Sequence, residues 1–375
     1  MKPIYLDYNA TTPVDPAVAE EMLPYLFQHF GNPSSSHLYG KETRSAIETA
    51  RARVAAILGC APPEIIFTSG ASESNNTVLK GVAFAQRSRG NHIIVSRVEH
   101  PSVLQPCRFL EQEGFSVTYL PVDITGRIDP EDVRRAITPE TILISIMHAN
   151  NEVGTIQPVT EVSRLAKARN ILFHTDAAQS VGKISTLVDE LGADFLSVAG
   201  HKIYAPKGIG ALYVRTGVSF EPLIHGAGHE RGRRSGTENV AYIVALGKAC
   251  ELARDDLPRY QSEIADLRGW FQRELTRLGD RIQINGHPTN RLPNTLHVSF
   301  LGVTGGDLLA KIPDLAASTG AACHDGKFSV SSVLQAMNVS AEAAMGAVRF
   351  SLGKDTSPED LRRALDMITQ AMKGL

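Results

Sequence analysis

Between about residues 40 and 250 this sequence sets seven short apolar runs between helical patterns, and that alternation limits its folds more than any other feature. The runs are "EIIFT", "HIIVS", "VTYLPV", "TILISIM", "ILFHTD", "FLSVAG" and "GALYV". None alternates apolar with polar as a half-exposed strand would, so each reads as a strand buried on both faces. Helical patterns separate them, among them "KETRSAIETARARVAAIL" (41–58), "SESNNTVLKGVAFAQR" (72–87) and "VTEVSRLAKAR" (159–169). The expected fold is α/β, with a mostly parallel central sheet covered by helices. A charged helix over roughly 256–278, with Pro258 at its start, breaks the rhythm. A strand "TLHVSF" and a last helix from "SPEDLRRALDMITQAM" follow, and these predict a smaller α+β unit that the N-terminal segment joins.

Bulk properties exclude several functions. With 375 residues the chain has room for one large and one smaller domain. A formal net charge of −2 gives no basic footprint for nucleic acid or an anionic membrane. No apolar run approaches the ~18 residues of a membrane span, and "MKPIYLDYNATTP" lacks a signal-peptide core. A cytoplasmic protein is expected. Cys60, Cys107, Cys250 and Cys323 form no CxxC pair and no zinc spacing, so no metal site is expected.

In an open parallel sheet, ligands bind beyond the carboxyl ends of the strands. The unusual residues collect there. "SGASESNN" follows the first run, and its backbone N–H groups with Ser69 and Ser72 could hold a phosphate at a helix start. "RVEHPS" brings His100, "HANNEVG" brings Asn150 and Asn151, "DAAQS" brings Asp176 and Gln179, and "GHK" brings His201 and Lys202. Each alone reads as a turn, a cap or a structural histidine; five at five strand ends do not. No GxGxxG follows the first strand and no GxxxxGK[ST] occurs, which disfavours nucleotide pockets.

Lys202 is the hardest to dismiss. It sits among Val198, Ala199, Gly200, Ile203 and Ala205, where an ammonium would lose its hydration. A phosphate cradle, a buried acid, a ring-facing histidine and a desolvated lysine together match one cofactor, pyridoxal phosphate, which needs a Schiff-base lysine and an acid against its ring nitrogen.

Through "YLDYNATTP", "TSGASESNN", "EHPSV", "HANNEVGTIQP", "HTDAAQSVGK", "GHKIYAPKGIGALYVR", "RRSGTENV", "STGAACH" and "VRFSLG", the sequence resembles the cysteine desulfurase branch of the class V, fold-type-I pyridoxal-phosphate enzymes. The resemblance covers nearly the whole chain. It implies a large cofactor-binding domain over 15–255, and a small domain of 1–14 with 256–375 carrying the catalytic cysteine loop. By the same resemblance Lys202 carries the cofactor and moves protons, Asp176 pairs with the ring nitrogen, and Gln179 bonds the ring oxygen. His100 would stack on the ring and help move protons, and Asn151 would lie near the ring oxygen or the substrate. Ala71, Ser72 and His201 would hold the phosphate, and Thr237 would reach it from a neighbouring subunit, implying a homodimer. Arg349 would bind the substrate carboxylate.

Cys323 lies in "ASTGAACHDGKFSVSS", small and polar around one thiol with His324 and Lys327 nearby, which reads as an accessible loop favouring the thiolate. In the family it takes the nucleophile's position and would receive sulfur from L-cysteine, leaving L-alanine; a sulfur-acceptor protein is a further expected partner. "GAACH" looks more like selenocysteine lyases, which makes release of selenium from L-selenocysteine the alternative. Ala199 replaces a serine that the family often has. A class V aminotransferase, which needs no loop nucleophile, and a non-enzymatic scaffold are rival readings.

Overall fold

The computed structural model describes the backbone of residues 2–374 except 320, 325 and 326; the side chains of 321–324 and 327–329 also lie outside the described residues. Seven strands form the central sheet, in the spatial order Ile65–Thr68, Gly210–Val214, Phe195–Ala199, Leu172–Asp176, Thr141–Ser145, His92–Ser96 and Ser116–Leu120. Only Gly210–Val214 runs against its neighbours. The other six therefore end on one edge of the sheet.

The lack of alternation in the apolar runs has the expected cause. Every residue of Ile65–Thr68, His92–Ser96, Thr141–Ser145, Phe195–Ala199 and Gly210–Val214 is buried. On one face, Ile65, Phe67 and Ile94 meet the helices Leu38–Leu58 and Val240–Asp255. On the other, Ile66, Ile93 and Val95 meet Ala71–Ala85 and Pro101–Gln112. Each fully buried Ile or Leu contributes about 1.5–3 kcal/mol. Ser116–Leu120, one of the two edge strands, is the clearest exception, with only Leu120 buried.

The sequence reading did not single out Val240–Asp255. It packs so tightly on Leu38–Leu58 that a Cβ on Gly247 would come 2.6 Å from the Ala50 Cα. The helix expected over 256–278 spans Leu257–Thr276, with Pro258 at its start and one widened i→i+5 turn at Tyr260–Ile264.

A second core joins Ile4 and Leu6 to Tyr260, Phe271, Val298, Phe350, Leu361 and Ile368. It covers an antiparallel sheet in the order Ser318–Thr319, Ala347–Ser351, Thr295–Phe300, Ile282–Asn285. The final helix, Pro358–Lys373, starts with a reciprocal Ser357–Asp360 capping box. Around Cys323 the backbone is a two-stranded ribbon rather than an irregular loop, Ala321–His324 pairing with Lys327–Val330. No helix among the described residues is long and apolar enough to cross a membrane.

Candidate active site

At the common carboxyl edge of the sheet lies an open cavity of about 670 Å³. Ten of the residues singled out in the sequence line it: Ser69, Ala71, Ser72, His100, Asn151, Asp176, Gln179, His201, Lys202 and Arg349. Ala199 lines it as well, where a serine would have added a hydroxyl. Thr237 does not; it is exposed elsewhere on the surface. The Cys323 side chain lies outside the described residues. Both ends of its segment are nevertheless tied to the cavity's surroundings. Ser318 Oγ bonds Asp7 and Arg349, and Ser331 Oγ donates to Glu152.

The helix Ala71–Ala85 opens onto the cavity with no side-chain cap. Its first N–H groups are free to meet an anion, which the helix dipole also favours. Gly70, before it, has φ +152°, a conformation that L residues rarely adopt. Close behind runs Gly210, where a Cβ would stand 2.6 Å from the Gly70 Cα, so both glycines are needed for the turn. His201 borders the cavity with Nδ1 3.2 Å from Thr11 Oγ1; burial and then Lys202 and Lys207 push its pKa down to about 4.

Asp176 ends the strand Leu172–Asp176 with its carboxylate fixed from two sides. Oδ1 accepts from the Ala178 N–H at 2.9 Å and Oδ2 from Asn75 Nδ2 at 2.7 Å. Beneath it the buried His174 spans three strands, Nδ1 to Ser145 Oγ at 2.8 Å and Nε2 to Ser197 Oγ at 3.0 Å.

Lys202 follows the strand Phe195–Ala199. Its Nζ donates to the backbone carbonyls of Asn9 and Ala10, at 2.5 and 2.7 Å. Burial is the main cause, and Arg349 the next, that brings its pKa down to about 8. Arg349 Nη1 donates to Asn151 O at 3.0 Å, and Nη2 to Asp7 Oδ1 at 2.8 Å and Ser318 Oγ at 2.9 Å. Its buried Nε has no partner among the described residues.

Four residues that motif reading did not weigh complete the site. Asn9 is a buried hub: its carbonyl accepts from Lys202 and, at 2.9 Å, from Gln179 Nε2, while its Nδ2 donates to Asn151 O and Thr295 Oγ1. Lys183 donates to Gln179 Oε1 at 2.8 Å and Asn9 Oδ1 at 3.2 Å. Asn75 and Ser102 link Asp176 to His100. The signal available in advance was the polarity of "SESNN", "EHPS" and "VGK" next to residues already chosen. Conversely, Asn150 takes no part: its side chain closes the turn through Val98 O and the N–H groups of Glu152 and Val153.

The other cysteines offer no nucleophile. Burial pushes the Cys60 and Cys250 thiols up to about 12 and Cys107 higher still. Among the described residues no group of three or more His, Cys, Asp or Glu side chains could hold a metal ion. The cavity's donors fit a ligand with an anionic end, a ring nitrogen able to carry a proton and a carbonyl reactive toward an amine: an uncapped helix start, a fixed carboxylate and a lysine of lowered basicity.

Comparison with known proteins agrees with this geometry. The "Aminotransferase class-V" family model matches residues 4–364. A cysteine desulfurase IscS of Dictyoglomus turgidum is 50% identical over 374 residues, 99% of this chain and 95% of that protein. Among solved structures, a NifS-like protein superposes with a TM-score of 0.94 at 40% identity, covering 100% of both chains. A second, described as SspA in complex with cysteine, gives 0.83 at 40% identity over 93% of this chain and 98% of that one.

Proposed function

The chain belongs to the cysteine desulfurase branch of the class-V aminotransferase family, and we propose that it is a pyridoxal-phosphate enzyme converting L-cysteine to L-alanine with a persulfide on Cys323. The observation that carries this reading is Lys202 and Asp176 facing one cavity with the uncapped helix start at Ala71. Bound there, the cofactor would supply an electron sink and an electrophilic carbon.

The chain's own residues would do the rest. Ala71, Ser72 and His201 hold the phosphate, Asp176 keeps the ring nitrogen protonated, and the free hydrogen of the Gln179 amide meets the ring oxygen. His100 and Asn151, which line the same cavity, would help hold the ring. Lys202 anchors the cofactor and serves as the base, because an amine with a pKa of about 8 is available in its neutral form near physiological pH. Arg349 takes the substrate carboxylate. The Cys323 thiolate receives the sulfur atom: the substrate's Cβ–S bond is exchanged for a Cβ–H bond, and an S–S bond forms on Cys323. The balance is internal to substrate and thiol, and needs no outside oxidant.

We assign the large domain to 15–255 and the small one to 1–14 with 256–375. The support is the second core, in which Ile4 and Leu6 pack with Tyr260 and the residues after it. Thr237 would complete a partner's phosphate site in a cytoplasmic homodimer, and a sulfur-acceptor protein would take the persulfide. The relatives reported above give the selenocysteine alternative no support.

Cys323→Ala tests the assignment. The variant should keep a yellow colour that borohydride removes, and lose alanine and sulfide production from cysteine. Wild-type turnover without the thiol would return the reading to an aminotransferase. A colourless wild-type protein would leave only a scaffold.

A further inference from the structure

We infer that Asn75 and Ser102 are positioning residues that hold His100 as the neutral tautomer with its hydrogen on Nε2, so that this histidine enters the reaction as a hydrogen-bond donor and not as a base. The hydrogen positions follow from which atoms can donate. Asp176 Oδ2 accepts, so the group 2.7 Å from it must be the NH2 end of the Asn75 amide. The fold keeps that orientation although it leaves the buried Asn75 Oδ1 without a partner. The same NH2 reaches Ser102 Oγ at 2.8 Å. That oxygen is then an acceptor from Asn75 and directs its own hydrogen onward, to His100 Nδ1 at 2.8 Å.

A second donor meets the same nitrogen. His100 caps the helix Pro101–Gln112, and the Ser102 backbone N–H points at Nδ1 from 3.1 Å. A hydrogen on Nδ1 would face that N–H directly. Nδ1 therefore keeps its lone pair, and the ring's one hydrogen sits on Nε2. The helix start also disfavours an imidazolium. Of the charged groups facing the ring, Lys202 lowers its basicity and Asp176 raises it; desolvation is the largest influence and the net direction is down.

The consequence is a division of labour, which rests on the function proposed above. A resting His100 has no lone pair on Nε2 to take a proton, so the base is the Lys202 proposed above and not His100. His100 offers an N–H that can bond a carboxylate, a thiolate or a ring oxygen beside it.

The test is nitrogen NMR of the protein as purified, labelled with ¹⁵N-histidine and held above neutral pH, with the His100 signals identified by their loss in His100→Gln. Nδ1 should resonate in the pyridine-type range and Nε2 in the pyrrole-type range. The reverse pattern, a doubly protonated ring or a rapid average of tautomers overturns the inference. In Ser102→Ala, which keeps the backbone N–H, both signals should move part of the way toward the average, and Ser102→Thr should restore them. Unchanged signals in Ser102→Ala would dismiss the relay from Asn75. Colour and cysteine turnover, recorded on the same samples, report separately on the proposed function.

Discussion

Two desolvated lysines, one buried and one half-buried, are both held by Asn9. Lys202 gives its ammonium hydrogens to the Asn9 and Ala10 carbonyls, and Lys183 gives its own to the Asn9 and Gln179 side chains. Neither has a carboxylate among these hydrogen-bond acceptors. Desolvation is the main force on both, bringing Lys202 down to about 8 and Lys183 well below its ordinary 10.5. What separates them is access. Lys202 borders the open cavity, while Lys183 is 2% exposed and donates to the side-chain amides of Asn9 and Gln179. One amine is accessible to a ligand. The other is a spacer that holds Gln179 by its oxygen and so turns the NH2 toward the cavity.

The strongest way to break this comparison is Lys202→Gln. Loss of about 10³-fold or more in cysteine turnover is expected, together with loss of the borohydride-sensitive colour. An active, coloured variant would mean that the two lysines have been given the wrong roles.

Lys183→Met should act through Gln179. A cofactor held about 10-fold more weakly is expected, the worth of one hydrogen bond. Equilibrium dialysis against free pyridoxal phosphate would measure it. Unchanged retention would make Lys183 a packing residue only.

The pH dependence of stability sharpens the contrast further. Below 10.5 the unfolded chain protonates a lysine that the fold keeps neutral. The unfolded state then binds the extra proton, so stability rises with pH across that window. In cofactor-depleted protein, Lys202→Gln should remove this slope only between about 8 and 10.5. Lys183→Met should remove a slope that extends lower. Thermal melting at a series of pH values would show the two ranges, and coincident ranges would end the distinction.

The smallest effect is expected from Ala199→Ser, which touches the Lys202 side alone. A restored hydroxyl at the cavity wall should tighten cofactor retention by about 2–10-fold. Stability at each pH should follow the wild type.

Much of this was legible in the chain. Helix starts, strand ends and the glycines at 70 and 210 are local features, and ten of the thirteen candidate residues that the sequence reading named line one cavity. The misses have physical causes. "HANNEVG" offers two asparagines with equal chemistry, and only the turn shows that Asn150 is consumed within it. "VGK" looks like an ordinary solvated lysine until the tertiary fold buries it and brings Asn9, 174 residues away, against its amine. Thr237 is exposed and does not line its own chain's cavity.

The sequence by itself determined the α/β architecture, because uninterrupted apolar runs can be buried only between two layers of helices, and with it the edge on which the chemistry collects. The tertiary structure alone decided protonation and hydrogen positions. Asn9 and Gln179 are 170 residues apart, and Asn75 and Asp176 are 101 apart. Whether a lysine is neutral or which imidazole nitrogen bears the hydrogen depends on desolvation and on the atom opposite, and no local pattern carries that information across such distances.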